Sequence, residues 1–462
     1  MNDVIHAADE SGSGTRSRTV TLIICFFIVG FDGFDAGVAS YVAPVLKQLW
    51  TIDSNNLGIL FGSGYLGLAI GNFILGPIAD KYGRKRIAIV SMIIFGTASI
   101  LAAFSPTIAW LIALRFLTGL GLGGALPNAI TLATEYCPSK NKAMLLTIVL
   151  LAFPGGLALS GVTASISIPV FGWTSLFLLG GALPLLLAPV AWLFLPESLE
   201  FIQRRHRMKG PTAAATGKPA KKRVFALFGQ GEWQGTAILW LTFFCSLWAY
   251  YQVTNWLPTL VAGEGVSAAR AASFASLFPF GGLIGSLVGS RIMERLNRYA
   301  VLAVYYMFAA IFTGAIGLLV HSPQFLGIFV FCAGLTLGGV QTCLIYVVAD
   351  YYKDEVRSTG VAWGLGVGRV GSIVGSATGG AVLAWMHSVQ HAFLMFALPV
   401  LISGLGMLWM IRFTRARLTI EVEVTSGKEL GGRVQDAYGA GGKARIGSSE
   451  PSTRERVNSS SP

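Results

Sequence analysis

Four ionisable side chains stand in stretches otherwise too apolar to hold them: Asp32, Asp35, Arg115 and Arg369. A charge in hydrocarbon is expensive, so each marks a function or an ion pair. Asp32 and Asp35 lie three residues apart in Asp32-Gly-Phe-Asp35-Ala-Gly37, which on a helix puts both on one face. Two carboxylates there do not both ionise easily, and the one that stays neutral carries a proton. The competing arrangement is an ion pair of Asp35 with Arg115, which falls at a similar depth. Arg369, in Gly366-Val-Gly-Arg369-Val-Gly-Ser-Ile-Val-Gly375, offers a planar fork that can grip a carboxylate bidentately. Pairing with an aspartate of the other half of the chain is its alternative.

Other candidates surround these four. Trp248, Tyr250, Tyr251, Asn255 and Trp256 crowd one apolar stretch, where tyrosines can stack on a planar ligand and bond its substituents. They can equally belong to an interfacial aromatic belt, the reading preferred for Trp256. Asn128 and Gln341 sit in glycine-rich apolar segments; Gln341 is a candidate ligand contact, although such polar residues more often join helices. In Gly76-Pro-Ile-Ala-Asp80-Lys-Tyr-Gly83-Arg84-Lys85-Arg86, a carboxylate beside a glycine and a basic cluster can pair across to the other half and break as the halves move. Asp80, Gly83, Arg84, Arg115 and Glu135 are therefore candidate gating residues.

The elements that must hold these residues are membrane helices. Of 462 residues, 53% are hydrophobic and 12% charged, against about 25% charged in soluble domains. Apolar segments recur at 19–42, 56–79, 87–104, 108–134, 143–164 and 172–195, then at 235–260, 270–290, 299–319, 325–349, 358–385 and 391–413. The expected architecture is all-α and polytopic: an N-tail (1–18), a six-helix bundle (19–195), a flexible linker (196–234), a second bundle (235–413) and a disordered tail (414–462). With the N-terminus in the cytoplasm, 30 of the 34 Lys and Arg fall in cytoplasmic segments, so the net charge of +12 is a topology signal and no nucleic-acid partner is expected. The lipid bilayer is the expected partner, and the chain is expected to be a monomer.

No catalytic constellation appears. The five cysteines show no C-x-x-C spacing, the five histidines lie in tails or loops, and no P-loop is present, so neither enzyme chemistry, a metal nor a cofactor is expected.

The halves repeat. Gly119-Leu-Gly-Leu-Gly-Gly124 matches Gly334-Leu-Thr-Leu-Gly-Gly339, Glu135-Tyr136 matches Asp350-Tyr351, and Asp80-Lys-Tyr-Gly-Arg84 matches Glu294-Arg-Leu-Asn-Arg298. Such parallel repeats place a transporter's site between two bundles near mid-membrane. Arg369 aligns with Pro154, so its charge belongs to one half only.

The 76–86 segment and its copy at 290–298 resemble the cytoplasmic signature of the major facilitator superfamily. Asp32-Gly-Phe-Asp35, Arg115 through Asn128, Asn255-Trp-Leu-Pro258 and Arg357-Ser-Thr-Gly-Val361 resemble the aromatic-acid/proton symporter branch. That resemblance implies uptake of a small aromatic carboxylate (hydroxybenzoate, benzoate or hydroxyphenylpropionate type) with protons across the bacterial inner membrane, by alternating access. It also implies that Asp32, Asp35, Asp80 and Arg369 are functional. Carriage of another organic anion, or drug efflux by antiport, is the alternative on this scaffold. Asn297 replaces the glycine usual in the second signature, so no essential role transfers to Glu294.

Overall fold

The computed structural model describes residues 13–138, 142–207, 233–352, 354–386 and 388–414. Contacts divide the chain into Met1–Met410 and Ile411–Pro462. Of the second unit only Ile411–Thr414 is described, and the architecture below is that of the first. Residues 1–12, the linker middle (208–232) and the tail from 415 lie outside the described residues, and with them the expectations of a flexible linker and a disordered tail.

Twelve described helices are long and apolar enough to cross a membrane. They are α1 (Ser13–Leu49), α2 (Ser54–Tyr82), α3 (Arg84–Ala102), α4 (Ile108–Tyr136), α5 (Lys142–Phe171), α6 (Thr174–Phe194), α7 (Trp233–Gly263), α8 (Ala268–Met293), α9 (Arg298–Leu319), α10 (Pro323–Tyr351), α11 (Asp354–Met386) and α12 (Val389–Thr414). The end of the bundle that carries the α2–α3 and α8–α9 turns is called here the basic face, and the opposite end the far face.

The two sequence halves fold alike. α2 packs on α4 as α8 packs on α10, and α1 packs on α5 as α7 packs on α11. Glycines permit the closest approaches: a methyl on Gly119 would overlap the Gly64 backbone, and one on Gly334 the Phe278 carbonyl. The halves meet where α2 touches α11, α5 touches α8 and α1 touches α7. The α2–α11 seam is tight at the far face, where Ser54 meets Gly380, and Gly58 and Gly62 meet Ala377. Towards the basic face, Gly76 of α2 and Gly366 of α11 have nothing within 4 Å of where a methyl would stand.

Three local features depart from expectation. α1 begins at Ser13 and runs to Leu49, past both ends of its apolar stretch, because the end of an apolar run marks where the chain leaves hydrocarbon and does not by itself end a helix. The expected linker opens with a further helix, Leu199–Arg207. Ser198 starts it by accepting the Phe201 N–H (3.3 Å), while Glu135 accepts the Leu199 N–H (2.7 Å). In α10, Gly334–Gly338 forms a π turn, whereas the matching residues 119–123 of α4 are regular α-helix.

Candidate functional site

The structure gives the two first-helix carboxylates different surroundings. Asp35 is fully bonded: Arg115 Nη1 donates to Oδ2 at 2.8 Å, Arg115 Nη2 to its backbone carbonyl at 3.2 Å, and Ser99 Oγ to Oδ1 at 3.0 Å. Ser99 also lies 3.2 Å from the Phe177 carbonyl, so this network ties α1 to α3, α4 and α6. Of the two arrangements open for Asp35, the structure has the ion pair. Asp32, one turn earlier, is also fully buried, yet neither carboxylate oxygen has a hydrogen-bond partner. The cation that acts on it is Arg369, from the other half of the chain.

Arg369 is half-buried, and its charge acts on Tyr251 as it does on Asp32. The Tyr251 ring packs 5.2 Å from that of Tyr250 and 4.5 Å from that of Tyr65, and Tyr250 packs on Phe278 at 5.5 Å. Tyr250 and Tyr251 thus belong to an aromatic wall between the halves, not to an interfacial belt. Trp256, expected in that belt, is wholly buried: its ring is edge-on to Phe61 at 5.4 Å and its indole N–H donates to the Ser376 carbonyl. The Tyr65 hydroxyl reaches Asn255 Oδ1 at 3.5 Å, and Asn255 Nδ2 donates to Ser376 Oγ at 2.8 Å. A small cavity beside this wall is lined by Ala39, Gly64, Tyr65, Arg115, Gly119 and Asn255, among others.

Gln341 is not brought into that wall by its hydrogen bonds. Its amide donates to Ser246 Oγ (3.0 Å) and the Leu337 carbonyl (3.3 Å), so it joins α10 to α7. Asn128 bonds back to the Gly124 carbonyl of its own helix at 2.7 Å.

At the basic face, Arg84 gathers three carboxylates: Asp80 at 3.5 Å, Glu135 at 3.6 Å and Glu200 at 3.3 Å. Gly83 adopts φ +106°, and a side chain there would strike the Glu197 carboxylate. Glu197 accepts the Lys85 N–H at 3.0 Å, and its carbonyl accepts the Tyr136 hydroxyl at 2.7 Å. Asp80 was expected to reach across to the other half; its described ion pair is instead with Arg84, within the first half, because the halves are parted at this face. The second half repeats the pattern: Arg298 pairs with Asp350. Asn297, where the signature ordinarily has glycine, caps α9 by accepting the Ala300 N–H at 3.1 Å.

Sequence reading missed Ser99, Tyr65, Glu197 and Ser198. Each is a common residue in an unremarkable context, and only the helix crossings reveal its partners.

The model of the Major Facilitator Superfamily matches residues 25–362 and again 265–435. The chain belongs to the Major Facilitator Superfamily. Relatives within this superfamily include a 4-hydroxybenzoate transporter of Pseudomonas aeruginosa, 36% identical over 84% of this chain and 91% of its own length. A gallate transporter of Pseudomonas putida is 38% identical over 84% of this chain and 90% of its own. A 3-(3-hydroxy-phenyl)propionate transporter of Escherichia coli is 31% identical over 85% and 94%. Among solved structures, a D-xylose–proton symporter superposes with a TM-score of 0.67 at 15% identity, covering 85% of this chain and 97% of that one. That likeness carries the twelve-helix fold alone.

Proposed function

We propose that this superfamily member is a proton-coupled importer of an aromatic carboxylate of the hydroxybenzoate, benzoate or hydroxyphenylpropionate type. The observation that carries the proposal is a buried Asp32 in one half, with no hydrogen-bond partner, in the field of Arg369 from the other half. Full-length similarity to carriers of aromatic acids supports the cargo class.

The site explains how anion and proton travel together. A carboxylate that takes the Arg369 fork cancels the cation acting on Asp32. A fully buried carboxylate without that cation is stable only when protonated, so cargo binding and proton uptake favour each other. The ring of the cargo rests against Tyr250 and Tyr251. Asp35, held by Arg115 and Ser99, keeps α1 fixed beneath Asp32.

The basic face is cytoplasmic by the distribution of Lys and Arg, with both tails inside and the far face outside the inner membrane. The tight far-face seam then corresponds to an inward-open state, and the two six-helix halves, 19–195 and 235–413, rock about the site. The working unit on this reading is the single chain, which holds the whole proposed site.

The test is uptake of radiolabelled 4-hydroxybenzoate into proteoliposomes with an alkaline interior. Accumulation that collapses with the pH gradient, and competition by benzoate and gallate, are expected. Uptake indifferent to the gradient would refute the coupling, and indifference to benzoates would refute the cargo class.

A further inference from the structure

Gln341 stands one helical turn below the aromatic wall. A methyl on Gly338 would touch the Tyr250 ring at 3.7 Å, and residues three or four apart share a helix face. Gln341 of α10 therefore lies under Gly338, as Ser246 of α7 lies under Tyr250, each on the side of the basic face. The two are joined there: Gln341 Nε2 donates to Ser246 Oγ at 3.0 Å and to the Leu337 carbonyl at 3.3 Å. A carbonyl only accepts, so the second bond fixes which end of the amide is nitrogen. Both N–H groups are engaged, and among the described residues none donates to Oε1. Ser246 is wholly buried and Gln341 half-buried. The pair thus presents a hydrogen-bond acceptor of fixed direction that meets no donor.

Its height is that of Arg369. α11 packs on α7 with Gly368 against the Leu247 side chain and Gly371 against the Phe244 carbonyl, so Arg369, between those glycines, is level with Ser246. A cation on α11 and a lone acceptor on α10 flank α7 at one height, with Tyr250 and Tyr251 a turn above both.

We infer that Gln341 is a specificity-determining residue: its oxygen accepts a ring hydroxyl of the cargo, so that hydroxylated aromatic acids bind in preference to unsubstituted benzoate. The inference rests on the aromatic-carboxylate reading above and narrows it. A phenolic O–H on the ring edge away from the carboxylate donates to Oε1 while the carboxylate takes the Arg369 fork. A ring C–H in the same place leaves the acceptor unpaired, and a methoxy oxygen has no hydrogen to give. Sites built to bond a hydroxyl reject the analogue that lacks it for this reason. Ser246 acts through Gln341, as the positioning residue that keeps the amide from turning.

Isothermal titration calorimetry of the purified full chain tests this, with benzoate, 4-methoxybenzoate, 3-hydroxybenzoate and 4-hydroxybenzoate. In the wild type, the tighter of the two hydroxy acids is expected to bind at least about fivefold more strongly than benzoate or the methoxy acid. Gln341→Met keeps the length of the side chain and removes the acceptor, so it should bring that ratio below about twofold by weakening the hydroxy acid. Ser246→Ala, which frees the amide to turn, should narrow the ratio as well. Size-exclusion behaviour and a measurable benzoate isotherm verify that each variant is folded. Equal affinity for benzoate and both hydroxy acids in the wild type overturns the inference and leaves the aromatic-carboxylate reading intact, as does a ratio unchanged by either substitution. Binding of none of these acids overturns that reading, and this inference with it.

Discussion

Arg115 holds Asp35 by two separate groups, the carboxylate at 2.8 Å and the backbone carbonyl at 3.2 Å, with both side chains almost wholly removed from solvent. Breaking a buried pair by removing one partner leaves an uncompensated charge, at a cost of about 3–5 kcal/mol. Arg115→Leu should therefore lower the melting temperature of the purified transporter sharply. Adding Asp35→Asn should recover part of that loss. A single variant that melts like the wild type would show that the pair does not hold the first half together.

Asp32 predicts the opposite stability result. Its oxygens have no hydrogen bond to lose, so Asp32→Asn should melt at the same temperature or above. Accumulation driven by a pH gradient should disappear, while exchange of labelled for unlabelled cargo continues and loses its pH dependence. Uphill uptake by this variant would move the proton site elsewhere.

Arg369→Lys keeps the charge and removes the fork. An ammonium cannot grip a carboxylate bidentately, so half-saturation for 4-hydroxybenzoate should rise at least about tenfold, the equivalent of about 1.4 kcal/mol. Unchanged uptake kinetics would place the anion away from Arg369.

Gly58 lies against the Ala377 carbonyl at the far-face seam, with no room for a methyl. Gly58→Val should hold that seam apart and slow net uptake at least about tenfold. A cysteine placed at Ala39, in the small cavity beside Arg115, should then react faster with a thiol reagent applied from the far side, in a chain whose five native cysteines are serine. Unaltered labelling would mean the seam is not the closure.

At the basic face, Gly83 has φ +106° and faces the Glu197 carboxylate. Backbone of this kind costs other residues about 1–3 kcal/mol, so Gly83→Ala should destabilise the chain by that amount. A denaturation midpoint equal to the wild type's would refute the assignment.

Much of this was legible in the sequence. Apolar run length gave the twelve spans, because about 20 residues cross hydrocarbon, and charge placement gave one face a basic character. The repeat put Arg84 in register with Arg298 and Glu135 in register with Asp350; that each arginine pairs with the acid of its own half is seen only in the folded chain. What was not legible is set by helix rotation and crossing. Asp32 and Asp35 share a face, so periodicity alone gives no reason why one is triply bonded and the other bare; the difference comes from where α3 and α4 cross α1. Tyr65 was passed over because a tyrosine among apolar residues is ordinary until α7 brings Tyr251 to within 4.5 Å of its ring centre. The π turn at Gly334–Gly338 was hidden because the repeated glycine pattern also fits the regular helix of α4.

Arg369 aligns with a proline in the other half, and Asp32 lies across the seam from it. On the proposed mechanism, fuel and freight are handled by different halves of an otherwise duplicated body. Exchanging the second half for that of a related carrier should then alter what is moved while leaving what drives it, so the asymmetry of one repeat pair sets the line along which such transporters can diversify.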